Sequence, residues 1–105
     1  MKNKILYLNS LATKAGKIVS GEFAVEKAVK EEKALLVIVS VDASKRSKKM
    51  YTDMCSFYKV PLYFYGNKDE LGRYTGKEFR VSVAVLDSGF RDALIKQMDL
   101  DSKEI

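Results

Sequence analysis

The sequence predicts an α/β domain in which a small sheet is sandwiched between helices. Segments with helical spacing alternate with short strand-like segments along the chain. "ALLVIVSV", from Ala34 to Val41, is β-branched and apolar on both faces, as a strand covered from two sides must be. "FRVSVAVL" alternates with period two and sets Val81, Val83 and Val85 on one face.

Ile5, Leu8, Leu11, Ala12 and Ala15 follow helical spacing, which predicts an amphipathic helix over 3–15 ended near Gly16. "KIV" is a short strand. Ser20 is then placed as an N-cap for a second helix through "EFAVEKAVKEE", with Glu22 at its dipole-favoured first turn. After the "ALLVIVSV" strand, Asp42 or Ser44 caps a third helix with an apolar stripe of Met50, Tyr51, Met54, Cys55 and Tyr58. Val60-Pro61 stops it. "PLYFYG" is the next strand, and "NKDELGRYTG" a short helix ended by glycines. "FRVSVAVL" is the last strand, and "SGFRDALIKQM" the last helix, with Phe90, Ala93, Leu94 and Met98 inward. "DLDSKEI" is expected to fray.

At 105 residues the chain is expected to be one domain, with an ordered core over about 3–98. Cys55 is the only cysteine, so no disulfide framework exists, which suits the cytoplasm. The N-terminus lacks a signal-peptide apolar core, and the longest apolar run is far too short for a membrane span. The net charge of +5 is unevenly spread: residues 1–50 hold eleven Lys/Arg against five Asp/Glu, and the remainder eight against nine. One basic half fits a polyanion-binding face as well as plain solubility.

Little points to an enzyme. There is no histidine, hence no imidazole base or imidazole metal ligand, and no phosphate-cradling glycine motif that would hold a nucleotide cofactor. Cys55 has no histidine to activate it and reads as a small core residue. No metal or cofactor is expected.

Three segments could carry binding. On a helical wheel with Val25 at zero, Ala28 and Val29 fall within about 60° and form the buried stripe, while Phe23 and Lys27 share the opposite face. Phe23 either packs under a neighbouring loop or stands exposed beside a lysine near a helix N-terminus, where phosphate is favoured and an unpaired base could stack. "SKRSKK" places Lys45, Arg46, Lys48 and Lys49 in the first turns of the third helix, where cations oppose the macrodipole. An external anion would account for them; so would a solvated surface. In "TGKEFRV", Lys77, Glu78, Phe79 and Arg80 form a glycine-led basic-aromatic loop that suits a nucleotide, although Phe79 could equally cap the core edge.

With these segments located, the chain resembles the kink-turn RNA-binding ribosomal proteins, the archaeal and eukaryotic "seven-Ae" and "thirty-e" large-subunit type, and within them the small bacterial branch called YlxQ. "LATKAGKIVSGEFAVEKAVKEEKALLVIVSVDAS", "CSFYKVPLYFYGNKDELGRYTGKEFRVSVAVLD" and the Gly89-Phe90 pair carry the resemblance over about 3–98. It implies a three-layer α-β-α sandwich with a four-stranded mixed sheet. It also implies that RNA is held by the turn into the second helix, the end of the "LLVIVSVDAS" strand and the loop before the last strand. The family's Gly-x-Asn-Glu-x-x-Lys pattern reads sheared G·A pairs. Gly21 matches its glycine and Lys27 its lysine, but Phe23 and Ala24 stand at the Asn and Glu positions, and Glu22 lies earlier on the wheel. Each lost polar contact costs on the order of 1–3 kcal/mol of base discrimination. Phe79 fits the family's apolar contact in the last loop.

The expected function is therefore that of a monomeric, non-enzymatic protein of the ribosome or translation machinery that binds structured RNA with altered base readout. Ser20, Gly21, Glu22, Phe23, Lys27 and the Asp42-Ala43-Ser44 turn would form its surface, with Lys17, Lys45, Arg46, Lys77 and Arg80 meeting phosphates and Glu78 in the last loop. Two alternatives stand beside it: a protein-interaction module anchored by Phe23, and a stand-alone cousin of the substrate-binding domain of some RNA methyltransferases.

Overall fold

The computed structural model describes residues 2–103, arranged as α1 (Lys2–Lys14), β1 (Ile18–Ser20), α2 (Glu22–Lys30), β2 (Leu36–Val39), α3 (Lys45–Tyr58), β3 (Leu62–Phe64), α4 (Lys68–Arg73), β4 (Ser82–Val85) and α5 (Ser88–Lys103). The four strands form one mixed sheet in the order β1-β4-β2-β3. β4 runs antiparallel to both neighbours, with Ser20 opposite Val83 and Val39 opposite Ser82, while β2 and β3 are parallel with Val39 opposite Phe64. This is the expected α/β sandwich.

Alternation along the central strands separates two cores. Val37, Val39 and Ala84 face α2 and α3, where Val25, Ala28, Val29, Tyr51 and Cys55 close over them. Leu36, Ile38, Val83 and Val85 face the other way, toward Ile5 of α1, Leu71 of α4 and Leu94 and Met98 of α5. All four residues of β2 are fully buried, which explains the apolar run that marked it. The wheel of α2 holds: Val25, Ala28 and Val29 are buried and Phe23 and Lys27 exposed.

Four details differ from expectation. Ser20 does not cap α2; Gly21 holds that position without any side-chain bond, because its backbone makes a turn open only to glycine. Gly72 does not end α4 but lies buried inside it, and the chain leaves the helix at Tyr74. Val81 precedes β4 and packs with the α2–α3 core, away from Val83 and Val85. The expected frayed tail is helical as far as Lys103, held in part by Tyr63, whose hydroxyl donates to Asp99 Oδ1 at 2.9 Å. Residues 104–105 of that tail lie outside the described residues.

α3 begins as the sequence suggested. Ser44 is its N-cap, its Oγ accepting the Ser47 N–H at 3.1 Å, and the helix ends in the left-handed Lys59 just ahead of Pro61. Asp42 is instead drawn to α4, its carboxylate accepting the Lys68 N–H at 3.0 Å.

Candidate nucleic-acid interface

One end of the sheet gathers three chain segments that are distant in sequence. The first is the turn from β1 into α2. Gly21 has φ 93° and ψ 154°, a region that costs any other residue on the order of 1–3 kcal/mol. Its N–H donates to the Ser82 carbonyl at 3.0 Å, so the turn is sewn to the start of β4.

The second is the loop from α4 into β4, which carries Phe79 and Arg80. Arg80 Nε donates to Ser20 Oγ at 3.1 Å, and Nη1 to the Phe79 carbonyl at 2.8 Å. The arginine side chain thus lies along the Gly21 turn in a fixed pose, and the side chain of Phe79 remains 54% exposed. Arg80 N–H donates to the Lys68 carbonyl at 3.0 Å. Because the Lys68 N–H is held by Asp42, this one residue at the start of α4 ties the loop to the turn after β2.

The third segment is the start of α3. Ser44, Arg46, Ser47 and Met50 meet Glu22 around an open cleft of about 410 Å³. A second cleft, of about 200 Å³, adjoins it through Glu22 and Ser47, with Gly21, Phe79, Arg80 and Tyr51 as its other principal walls. Tyr51 forms the floor: it is buried, and its hydroxyl shares a 2.6 Å hydrogen bond with Ser82 Oγ. Burial raises its pKa above the ordinary phenol value, although the Ser82 bond opposes that shift, so the phenol stays neutral under physiological conditions.

The electrostatics are one-sided. Arg46 lines the larger cleft, and neither it nor its neighbours Lys45 and Lys48 have an ion-pair partner among the described residues; α3 has no acidic residue in its first turn. Lys49 pairs with Asp53 at 3.1 Å, but both side chains are mostly exposed, so the pair contributes little. Glu22 is the carboxylate common to both clefts.

The residues singled out from sequence fall into three groups. Ser20, Gly21, Glu22, Ser44, Arg46, Phe79 and Arg80 come together around the clefts. Phe23 and Lys27 line a separate groove on the outer side of α2, with Val19, Leu86 and Lys33. The others, the exposed Lys45 at the start of α3 among them, line neither. Lys17 sits at the far end of β1, about 10 Å of strand away from Ser20. Ala43 is 9% exposed and packs in the α2–α3 core. Asp42 is engaged by α4, and Lys77 and Glu78 are exposed on the turn after it. Sequence reasoning missed Ser47, whose Ser44-x-x-Ser47 spacing was the available signal, and gave Tyr51 only a core role.

The comparisons with known proteins converge on one family. Residues 3–95 match the model described as the ribosomal protein L7Ae/L30e/S12e/Gadd45 family. The chain belongs to this family. It is 46% identical over 92 residues to the RNA-binding protein YlxQ of Bacillus subtilis, covering 88% of this chain and 92% of that one. It is 38% identical over 88 residues to the large ribosomal subunit protein eL30 of Candida glabrata, covering 81% and 83%. Among solved structures, a Bacillus halodurans protein of unknown function superposes with a TM-score of 0.88 at 41% identity, over 91% of this chain and 97% of that chain. The Giardia lamblia 15.5kD RNA binding protein shares the fold, with a TM-score of 0.74 at 23% identity over 87% and 78% of the two chains. No helix among the described residues of this family member is long and apolar enough to cross a membrane.

Proposed function

We propose that this protein is a non-enzymatic RNA-binding protein of the cytoplasm that works with the ribosome or the translation machinery. It binds structured, kink-turn-like RNA as a monomer, through the face around the Gly21 turn. The observation that carries the reading is the convergence of the Gly21–Glu22 turn, the Ser44–Ser47 start of α3 and the Phe79–Arg80 loop on two adjoining clefts. A glycine turn permits close backbone approach, fixed and free cations meet phosphates, and an exposed phenyl ring offers a base something to stack on. The RNA-binding relatives support the same reading. Phe23 and Ala24 take away the polar groups that would read G·A edges, so base readout is altered while phosphate binding is retained.

Titration with a kink-turn hairpin and with a plain duplex of equal length, each over a range of salt, tests this. Log affinity falls with log salt by about 0.9 for each phosphate neutralised in duplex. Replacing Arg46 and Arg80 with alanine reduces that slope by close to two units. Absence of binding to either RNA at low salt overturns the proposal.

A further inference from the structure

β3 is an edge strand, last in the order β1-β4-β2-β3. The Val37 N–H donates to the Pro61 carbonyl at 2.9 Å and the Tyr65 N–H to the Val39 carbonyl at 3.0 Å, so alternate peptide groups of the strand turn toward β2. Those of Leu62 and Phe64 lie between them and point outward, with no partner among the described residues. Natural sheets blunt such edges with short strands, proline or charge. β3 is short and follows Pro61, but Leu62, Tyr63 and Phe64 carry no charge, and Phe64 is 43% exposed.

Just past the strand, Phe64, Val41, Tyr65, Glu70 and Asp101 surround an open groove of about 330 Å³. Val41 is 52% exposed, so the groove has an apolar wall. Its charged residues are both acidic, and no lysine or arginine lines it among the described residues. The same field is felt by the Tyr65 phenol, pushed up to about 12 by burial first and then by Asp101 and Glu70. A polyanion is repelled here, so the groove does not continue the RNA face. Phe64 lies opposite Val39 and therefore on the α3 side of the sheet. Tyr63 and Tyr65 face the other side, where the Tyr63 hydroxyl meets Asp99 of α5.

We propose that the β3 edge takes up an extended, basic segment of a partner protein, which pairs with the peptide groups of Leu62 and Phe64. One of its side chains, apolar, packs on Phe64 and Val41; the next, a lysine or arginine, reaches toward Asp101. The main-chain bonds supply affinity and the alternate side chains specificity. A strand of three residues spans about 10 Å. That length suits a short linear segment and falls far below the roughly 1,200 Å² buried by a stable dimer, so a second copy of this chain is not the occupant. The proposal goes beyond the RNA-binding reading and does not depend on it.

The test is amide NMR and hydrogen exchange on the whole chain with a blocked hexapeptide of alternating arginine and valine. The peptide protects the Leu62 and Phe64 amides, which exchange freely in the protein alone. The same peptide with every backbone nitrogen methylated keeps its charge and side chains but protects neither amide, and a peptide of alternating glutamate and valine does not bind. Phe64→Ala weakens binding by about 5- to 10-fold, as expected for half-burying one valine. Asp101→Asn weakens it by up to about 5-fold and lowers its salt dependence. Thermal melts of both variants confirm that the fold is kept.

Absence of binding at millimolar peptide overturns the proposal. So does binding that leaves both amides unprotected or survives methylation, since charge alone then attracts the peptide. Protection of both amides in concentrated protein without peptide assigns the edge to a second copy and overturns the choice of partner. None of these outcomes bears on RNA binding.

Discussion

Gly72 and Phe79 touch backbone to backbone: a Cβ built on residue 72 would stand 2.3 Å from Phe79 Cα and 2.6 Å from its nitrogen. α4 can therefore carry the loop before β4 across its surface only because position 72 has no side chain. That crossing sets the height at which Phe79 and Arg80 enter the cleft. Gly72→Ala brings a methyl group against main chain, which cannot swing aside. A cost of about 3 kcal/mol, at the upper end for overpacking, is expected. Thermal unfolding should fall by more than about 10 °C for a domain of this size. RNA affinity measured below the melting temperature should fall as well, because the loop must lift. A variant with wild-type melting and binding would show that the crossing is loose.

This contact marks where the sequence became illegible. The strands and the inward stripes of α2, α3 and α5 were readable because each is a local pattern: four consecutive buried residues in β2, or Val25, Ala28 and Val29 one turn apart. Gly72 looked like a helix stop because its reason is a segment several residues away that crosses over it. Ser20 looked like a cap because serine before a helix usually is one; its hydroxyl is taken by Arg80, sixty positions later. Helix continuation past Met98 depends in part on Tyr63 of β3 reaching Asp99. At the candidate interface the wheel set Phe23 and Lys27 opposite the core stripe but left open whether Phe23 packs under a loop, and Ala43, taken for surface, is buried. Which segments converge came only from the family resemblance and from no local pattern, since convergence depends on the order of the sheet.

Gly21 makes a different kind of demand. A Cβ there would find ordinary van der Waals room, 3.6 Å from Arg80 Nε, so space is not the limit. The limit is φ at 93° with ψ at 154°, and Gly21→Ala should cost about 1–3 kcal/mol by strain alone. A turn that relaxes to relieve the strain loses the Gly21–Ser82 bond and moves Glu22 and Phe23. The expected result is a lowered melting temperature together with weaker RNA binding. Preserved stability with lost affinity would instead mean that the methyl group obstructs the RNA itself.

Asp42 separates a structural role from a binding one. Its carboxylate holds the Lys68 N–H, whose carbonyl in turn holds Arg80 N–H, so the residue braces both loops of the cleft. Asp42→Ala should cost about 1 kcal/mol, the ordinary worth of one such bond near the surface, and loosen amide exchange at Lys68 and Arg80. Asp42→Asn keeps an acceptor oxygen and should restore exchange protection at both amides. If Asp42 touched RNA through its charge, Asn would fail to rescue binding even where it rescued protection.

Alkaline stability follows from four groups whose pKa values are raised chiefly by burial. The Cys55 thiol, 2% exposed, is pushed up to about 11 by burial. Burial is also the largest cause for Tyr51, for Tyr63, where Asp99 adds to it, and for Tyr65, which is pushed up to about 12 with help from Asp101 and Glu70. In each case the folded chain keeps its proton longer than the unfolded chain does. As pH rises the unfolded state therefore binds fewer protons, and stability falls. The contribution is intact below the ordinary thiol value of about 8.5 and is lost as pH climbs through the raised values. With no histidine in the chain, these groups predict a flat stability from about pH 6 to 8. Denaturant melts across pH should show that plateau and then a decline. Cys55→Ala removes the earliest component, so its decline should begin nearer pH 10, where the tyrosines of the unfolded chain ionise. A decline that starts below pH 8 in the wild type, or at the same pH in both proteins, would mean that Cys55 is not held neutral in the core.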